Sequence, residues 1–395
     1  MTTLRLKQMR LARGYSLDEL VAKSGGIVTK QAISKYEQGK TNPSPRVLTK
    51  LAAALNVKVA QLVSEPTIRV EILAYRKGSS LRRKEQLRVE NLVKQSLEDR
   101  IRLQELMLQD NGANIPIRKF SVSTLEDAED SAQRFRDQWD LGRDPIANVV
   151  GVFENHHVHV LEIEASEKFD GMAAVAYKSA GRNQVVAAAV VVRRSTMGER
   201  QRLNLTHELG HLVLDMSSKV DEEKAAFRFG AAFLAPKETL LKEIGPSRNV
   251  IGIAELLLLK KRFGMSVQAL LYRLKDLEII NDSYYAQWCK HISRLSWRKK
   301  EPDPLPPERL EWLHQNVLRA FAEGVIGHED AEAMLGEKIE NQIPLSLVKR
   351  RSFMKLPLEE RRRLMAEQAE KLSSHYEQDT GWQELGAGDF VEYEP

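Results

Sequence analysis

Arg202-Leu203-Asn204-Leu205-Thr206-His207-Glu208-Leu209-Gly210-His211-Leu212-Val213-Leu214 reads as an apolar helix that carries two imidazoles four residues apart. Positions i and i+4 share one helix face about a turn apart, so His207 and His211 can reach a single Zn²⁺ ion. Glu208 then stands beside the metal, where a carboxylate can take a proton from water made acidic by the ion and pass it to a leaving amine. That is the layout of a metal-dependent peptidase. The plain alternative is a buried, hydrogen-bonded histidine pair on a core helix.

Two histidines leave a metal site incomplete, and a third protein ligand is required. The stretch Val220-Asp221-Glu222-Glu223-Lys224-Ala225-Ala226-Phe227-Arg228-Phe229-Gly230-Ala231-Ala232-Phe233-Leu234-Ala235-Pro236 predicts a second helix that starts acidic and stops before a proline. A carboxylate in its first turn can complete the site. Acidic residues at a helix start also serve simply to offset the helix dipole.

Taken together, Arg202 to His211, then Glu223, Ala226, Phe229, Ala231, Leu234 and Pro236 in register, resemble the ImmA/IrrE-type zinc peptidases. The resemblance implies Glu223 as third ligand, with Glu222 its nearest competitor, and Zn²⁺ as cofactor. Two positions depart from that family's pattern: Phe227 stands where Asn is usual and Gly230 where Ala is usual. It continues upstream through Ala128 to Trp139 and Leu141-Gly142-Arg143-Asp144-Pro145-Ile146, and downstream through Phe263 to Leu274, where Ser266 is a natural N-cap. Between them, Val158 to Ile163, Met172 to Lys178 and Gln184 to Val192 predict strands, punctuated by turns at Asp170-Gly171 and Gly181-Arg182-Asn183. A small sheet beside the active helix is therefore expected, whose edge can hold an extended substrate by main-chain pairing. His157 and His159 alternate with Val158 and Val160; a second metal site is one reading of them, a half-exposed polar strand the other.

The N-terminal end carries a different signal. From Leu4 to Leu62, short helical patterns succeed one another, with Leu6, Met9, Leu17, Leu20, Ile33, Leu48, Leu51 and Leu55 as a small core. Ser16-Leu17-Asp18-Glu19 is a capping box, Gly25-Gly26 a tight turn, and Thr29 caps a helix from Lys30 to Glu37. Arg13-Gly14-Tyr15-Ser16, Ala32 to Gly39, Pro43-Ser44 and Leu51 to Val57 resemble the Cro/phage-repressor (XRE) helix-turn-helix domains. That resemblance implies binding to double-stranded operator DNA as a homodimer, with Lys30, Gln31, Ser34 and Lys35 at base edges or adjoining phosphates and Lys40, Asn42 and Arg46 on the backbone. Ile33 and Tyr36 read as core, and Glu37 as a contact within the domain.

With 395 residues, 42% of them hydrophobic, the chain can bury two or three cores. Its net charge of +5 suits a partner of nucleic acid without proving one. The single cysteine, Cys289, excludes an internal disulfide and fits a reducing compartment. Met1 to Gly14 lacks an apolar signal core and no run reaches membrane-spanning length, so a cytoplasmic protein is expected, with no membrane partner.

The expected class is mainly α with a small β-sheet (α+β). Residues 1–66 form a five-helix DNA-binding domain, 67–115 a charged helical linker, 116–298 a zincin-like peptidase domain around the HExxH helix, and 299–395 a proline hinge followed by a helical C-terminal region. Leu356 to Tyr376 and the closing Trp382 to Tyr393 resemble, over about forty residues, a segment of small addiction-module proteins. The relatives of the peptidase class imply a DNA-binding regulator whose zinc endopeptidase cuts a regulatory protein in a stress, mobile-element or toxin-antitoxin setting. The alternative is an antitoxin-like repressor whose zinc-peptidase fold is a sensing or binding scaffold without turnover, with a toxin as its partner.

Overall fold

The computed structural model describes residues 3–77, 81–107, 115–179, 184–194, 197–298, 300–339, 353–354 and 356–378. The expected α+β class is observed. The chain divides into two compact units, residues 1–314 and 315–395.

The first unit opens with α1 (Thr3–Ala12), α2 (Leu17–Lys23), α3 (Lys30–Glu37), α4 (Pro45–Leu55) and α5 (Val59–Val63). Their boundaries are written in short polar side chains. Ser16 and Glu19 close a capping box on α2, the Thr29 hydroxyl accepts from the Ala32 N–H, and Ser44 caps α4 ahead of Pro45. Asn56, in the left-handed region at φ 52°, ends α4. Leu6, Met9, Leu20, Ile33, Leu51, Leu55 and Leu62 bury one shared core, each contributing about 1.5–3 kcal/mol.

Next come β1 (Ile68–Lys77), α6 (Arg83–Met107), β2 (Phe120–Val122), α7 (Leu125–Gln138), α8 (Val149–Asn155), β3 (Val158–Ile163), β4 (Phe169–Lys178) and β5 (Val185–Arg193). β1, β4, β5 and β3 form one mixed sheet in that order, with β3 and β5 parallel and the other pairs antiparallel. The segment expected to be a linker is therefore no linker. Ile68, Val70 and Ile72 alternate with polar residues because β1 pairs with β4, and Val89, Val93 and Leu97 of α6 cover one face of the sheet. The turn expected at Asp170-Gly171 also falls inside β4, where Gly171 pairs with Arg76 and Val192. The one expected at Gly181-Arg182-Asn183 lies outside the described residues.

The other face of the sheet packs on α9 (Gly198–Val213), the helix of the histidine motif. Val185–Arg193 is apolar on both faces because helices lie on both. β6 (Leu214–Met216) leaves α9 directly and pairs in parallel with β2. α10 (Glu222–Leu234), α11 (Lys237–Ile244), α12 (Ile253–Phe263), α13 (Val267–Asp276) and α14 (Asp282–Arg294) complete the layer. α7 and α10 interlock through Phe135, Phe229 and Phe233, with ring centroids 6.0–6.1 Å apart.

The helix-turn-helix domain is docked on α6. Arg5 clasps Glu98 with both guanidinium nitrogens, and Glu98 also accepts from the Thr67 N–H at 3.3 Å. The proline-rich segment expected to be a hinge is likewise anchored over its described part. Glu301 is buried against Lys260, Leu305 bonds the first turn of α9 at both Gly198 and Glu199, and Glu308 pairs with Arg202. Buried carboxylates facing buried cations fix this stretch, where free proline-rich chain would only space two domains.

The second unit holds residues 315–322 of α15 (Glu311–Ala322), with α16 (His328–Leu335) and α17 (Leu358–Gln378). Phe321 and His328 meet edge to face at 5.5 Å. Trp382 to Tyr393, part of the expected addiction-module likeness, lies outside the described residues. No helix among the described residues is long and apolar enough to cross a membrane.

Candidate metal centre

His207 and His211 project from α9 as the i, i+4 spacing requires, both buried, while Glu223 reaches them from the first turn of α10. His207 Nε2 and His211 Nε2 stand 3.2 Å apart, and the two Glu223 oxygens lie 3.4 Å and 3.5 Å from them. A tetrahedral ion with ligand bonds of about 2.0–2.1 Å separates its donors by about 3.3 Å. Each imidazole nitrogen thus has the other nitrogen and one Glu223 oxygen at about the spacing a zinc ion imposes, and two imidazoles with one carboxylate suit a dication. Glu222, the competitor weighed from the sequence, is exposed and stands outside this group, the one three-donor His/Cys/Asp/Glu group found among the described residues.

One small-residue position makes the geometry possible. A Cβ on Gly230 would sit 2.9 Å from the His207 backbone nitrogen, so only glycine lets α10 lie this close to α9. The family departure at this position therefore has a packing cause. The departure at Phe227 puts a ring on His207, with centroids 4.2 Å apart and planes tilted by 49°. An aromatic cover there shields the imidazole from water on one side.

Glu208 is fully buried, and its carboxylate faces Gly171 of β4. A Cβ on Gly171 would overlap its carboxylate, so the glycine is the space that the acid occupies. Sequence reading gave Gly171 a turn, and nothing local betrays its partner thirty-seven residues along the chain. Arg202, one turn and a half before His207, is held by Glu308 and by the carbonyls of Ile146 and Ala147. Together with Gln201, which bonds Glu162 and Glu308, it fixes the start of α9. A carboxylate held in a dry slot beside a candidate metal centre can accept and return a proton.

Neither His157 nor His159 belongs to a three-donor group among the described residues. His157 precedes β3 with φ 61°, while His159 is buried in β3 with its ring 5.0 Å from Trp312. Burial, the Arg100 guanidinium and His157 hold the His159 pKa well below the usual imidazole range, so it stays neutral. The polar-strand reading is corrected too: the His159 side chain is a core residue.

At the other end, Lys30, Gln31, Lys35, Lys40, Asn42 and Arg46 are exposed, and Ser34 is half-buried with its hydroxyl bonded to Gln38. Ile33 is buried, and Glu37 takes two hydrogen bonds from Arg10, at 2.6 Å and 2.8 Å. These are the core and framework places expected of them.

Comparison with known proteins agrees with both halves of this geometry. Residues 6–62 match the family model described as Helix-turn-helix, and residues 154–275 match that of the IrrE N-terminal-like domain, a peptidase family. The chain joins an XRE-type helix-turn-helix to an IrrE-like domain. Similar curated proteins include the HTH-type transcriptional regulators SinR of Bacillus licheniformis and of Bacillus subtilis (strain 168), each 45% identical over 62 residues, covering 15% of this chain and 54% of the relative. SlrR of Bacillus subtilis (strain 168), also an HTH-type transcriptional regulator, is 37% identical over 67 residues, 17% of this chain and 43% of its own. The chain thus spans about half the length of the curated relatives it matches. The IrrE-like match begins at residue 154, so β1, α6 and α7 lie upstream of it although β1 supplies a strand of the same sheet.

Proposed function

We propose that the protein is a DNA-binding transcriptional regulator whose IrrE-like domain is a zinc-dependent endopeptidase acting on a regulatory protein. The observation that carries this reading is the convergence of His207, His211 and Glu223 with donor separations of 3.2–3.5 Å beside a buried, non-ligating Glu208. In it, His207, His211 and Glu223 hold the ion, which when bound supplies a Lewis acid that acidifies water and polarises a peptide carbonyl. Glu208 accepts the proton and delivers it to the leaving amine.

Two further features support a peptide substrate. β1 stands at one end of the sheet, and its register puts Arg76 opposite Gly171, the residue that backs Glu208. An extended chain can pair with the outer edge of β1, one strand removed from Gly171. A pocket of about 390 Å³ lined by Leu203, Phe227, Ala231, Met265 and Tyr272 adjoins His207 through the Phe227 ring and suits an apolar side chain. On the DNA side, exposed Lys30, Gln31 and Lys35 on α3 support base-edge and phosphate contacts, with two copies on half-sites about one helical turn apart.

The test is to incubate the zinc-loaded protein with a soluble bacterial proteome and map new N-termini by mass spectrometry. Termini produced by the wild type and absent with Glu208→Gln support the reading, and identical maps refute it. Gly171→Ala gives a second check, because the added methyl displaces the Glu208 carboxylate. Cleavage should fall by up to about 10²-fold with metal content unchanged; wild-type turnover would mean that the slot does not position the acid.

A further inference from the structure

α6 belongs to the body of the sheet, yet its first turn reaches the helix-turn-helix. Lys84 Nζ bonds Glu19 Oε2 at 3.3 Å, and the Arg88 side chain lies against Gly14. On the other side of the same α2 turn, Lys30 Nζ of the recognition helix bonds Asp18 Oδ2 at 2.7 Å. Consecutive residues of α2, Asp18 and Glu19, therefore tie down a cation from α3 and a cation from α6. Across an α-helix about 10–12 Å wide, the two cations must lie on adjoining sides of one helix start.

That helix start has a defined relation to DNA in this class of domain. The recognition helix enters the major groove by its N-terminal residues while the preceding helix crosses the phosphate backbone. Arg82, Arg83 and Lys84 are all exposed, the last two side chains by 71% and 63%, and stand side by side where that backbone would continue past α2. Glu19 offsets Lys84, while the other two acids nearby are turned inward or largely covered. Glu85 is turned inward to the Ser166 N–H at 2.7 Å, and Glu90 lies 3.9 Å from Arg83 with its side chain only 22% exposed. Glu19, held down to about 2 chiefly by the Ser16 backbone and hydroxyl hydrogen bonds and further by Lys84, stays ionised and keeps Lys84 anchored.

We propose that Arg82 and Arg83, on a helix start anchored through Lys84, form an accessory phosphate clamp, so that bound DNA is gripped by the helix-turn-helix and, next to it, by the helix that covers the sheet. The inference rests on the DNA-binding reading above. It deepens that reading by extending the footprint beyond residues 1–66 onto α6. Phosphate contacts position a protein without reading sequence, so the clamp adds affinity equally on any duplex.

The experiment measures the affinity of the full chain for a mixed-sequence duplex of about two helical turns across a salt series, for the wild type, Arg82→Ala/Arg83→Ala and Lys30→Ala/Lys35→Ala. Every phosphate that a substituted side chain no longer neutralises should reduce the slope of log K against log salt by about 0.9. A shallower slope and weaker binding in the Arg82/Arg83 variant, independent of duplex sequence, is the expected result. A slope equal to wild type in that variant, with a clear loss in the Lys30/Lys35 variant, overturns the clamp and leaves the helix-turn-helix reading standing. Wild-type behaviour in both variants removes that reading and the clamp with it.

Discussion

In the zinc-loaded protein, Glu208→Gln should lower the rate of peptide cleavage by about 10²–10⁴-fold, the usual contribution of a positioned general acid and base, while zinc content and DNA affinity stay at wild-type values. The substitution is close to isosteric, and Glu208 is fully buried in the slot left by Gly171, so the amide fits where the carboxylate was. What it loses is the capacity to take a proton. The ligand group of His207, His211 and Glu223 does not include Glu208, so metal binding has no reason to change. Steady-state cleavage of a substrate identified from the N-terminal map, with metal analysis of the same preparation, checks both halves. Retained turnover would assign proton transfer elsewhere. Absence of turnover in the wild type as well would favour a scaffold that represses DNA without cutting anything.

Lys260→Ala should destabilise the first unit by about 3–5 kcal/mol. Lys260 is completely buried on α12, and its ammonium donates to Glu199 at 2.9 Å, Glu301 at 3.0 Å and the Pro302 carbonyl at 3.1 Å. Removing it leaves two buried carboxylates without their cation. Glu199 begins α9 and also accepts from the Leu305 N–H, while Glu301 accepts from the Val267 N–H. The loss should therefore loosen the start of the histidine helix and the strap that crosses it. Urea unfolding of wild type and variant measures the difference, and a change under about 1 kcal/mol would mean that water already reaches the cluster.

These contacts also show where sequence reading stops. The histidine pair was legible because helix periodicity alone puts residues 207 and 211 on one face. An acidic helix start offered Glu222 and Glu223 alike, and only the resemblance to the ImmA/IrrE-type peptidases, with Ala226, Phe229 and Pro236 in register, pointed to Glu223. Capping residues such as Ser16, Thr29 and Ser266 were equally plain, since each acts on backbone three residues away. β1 carried its own signal in the alternation of Ile68, Val70 and Ile72, but the charged helix that follows it concealed a strand inside an apparent linker. Gly171 and Glu208, or Lys260 and Glu301, left no local trace, because each pair exists only after distant segments have packed. Proline-rich chain from Pro302 to Pro307 reads as a hinge until the carboxylates flanking it, Glu301 and Glu308, find Lys260 and Arg202.

Zinc content of the purified wild type and of His207→Ala, measured side by side after dialysis against metal-free buffer, tests the metal centre directly. Stoichiometric zinc in the wild type and its loss in the variant are expected from three donors already spaced for one ion. A wild type that retains no zinc, or a variant that retains all of it, would contradict the site and with it the peptidase.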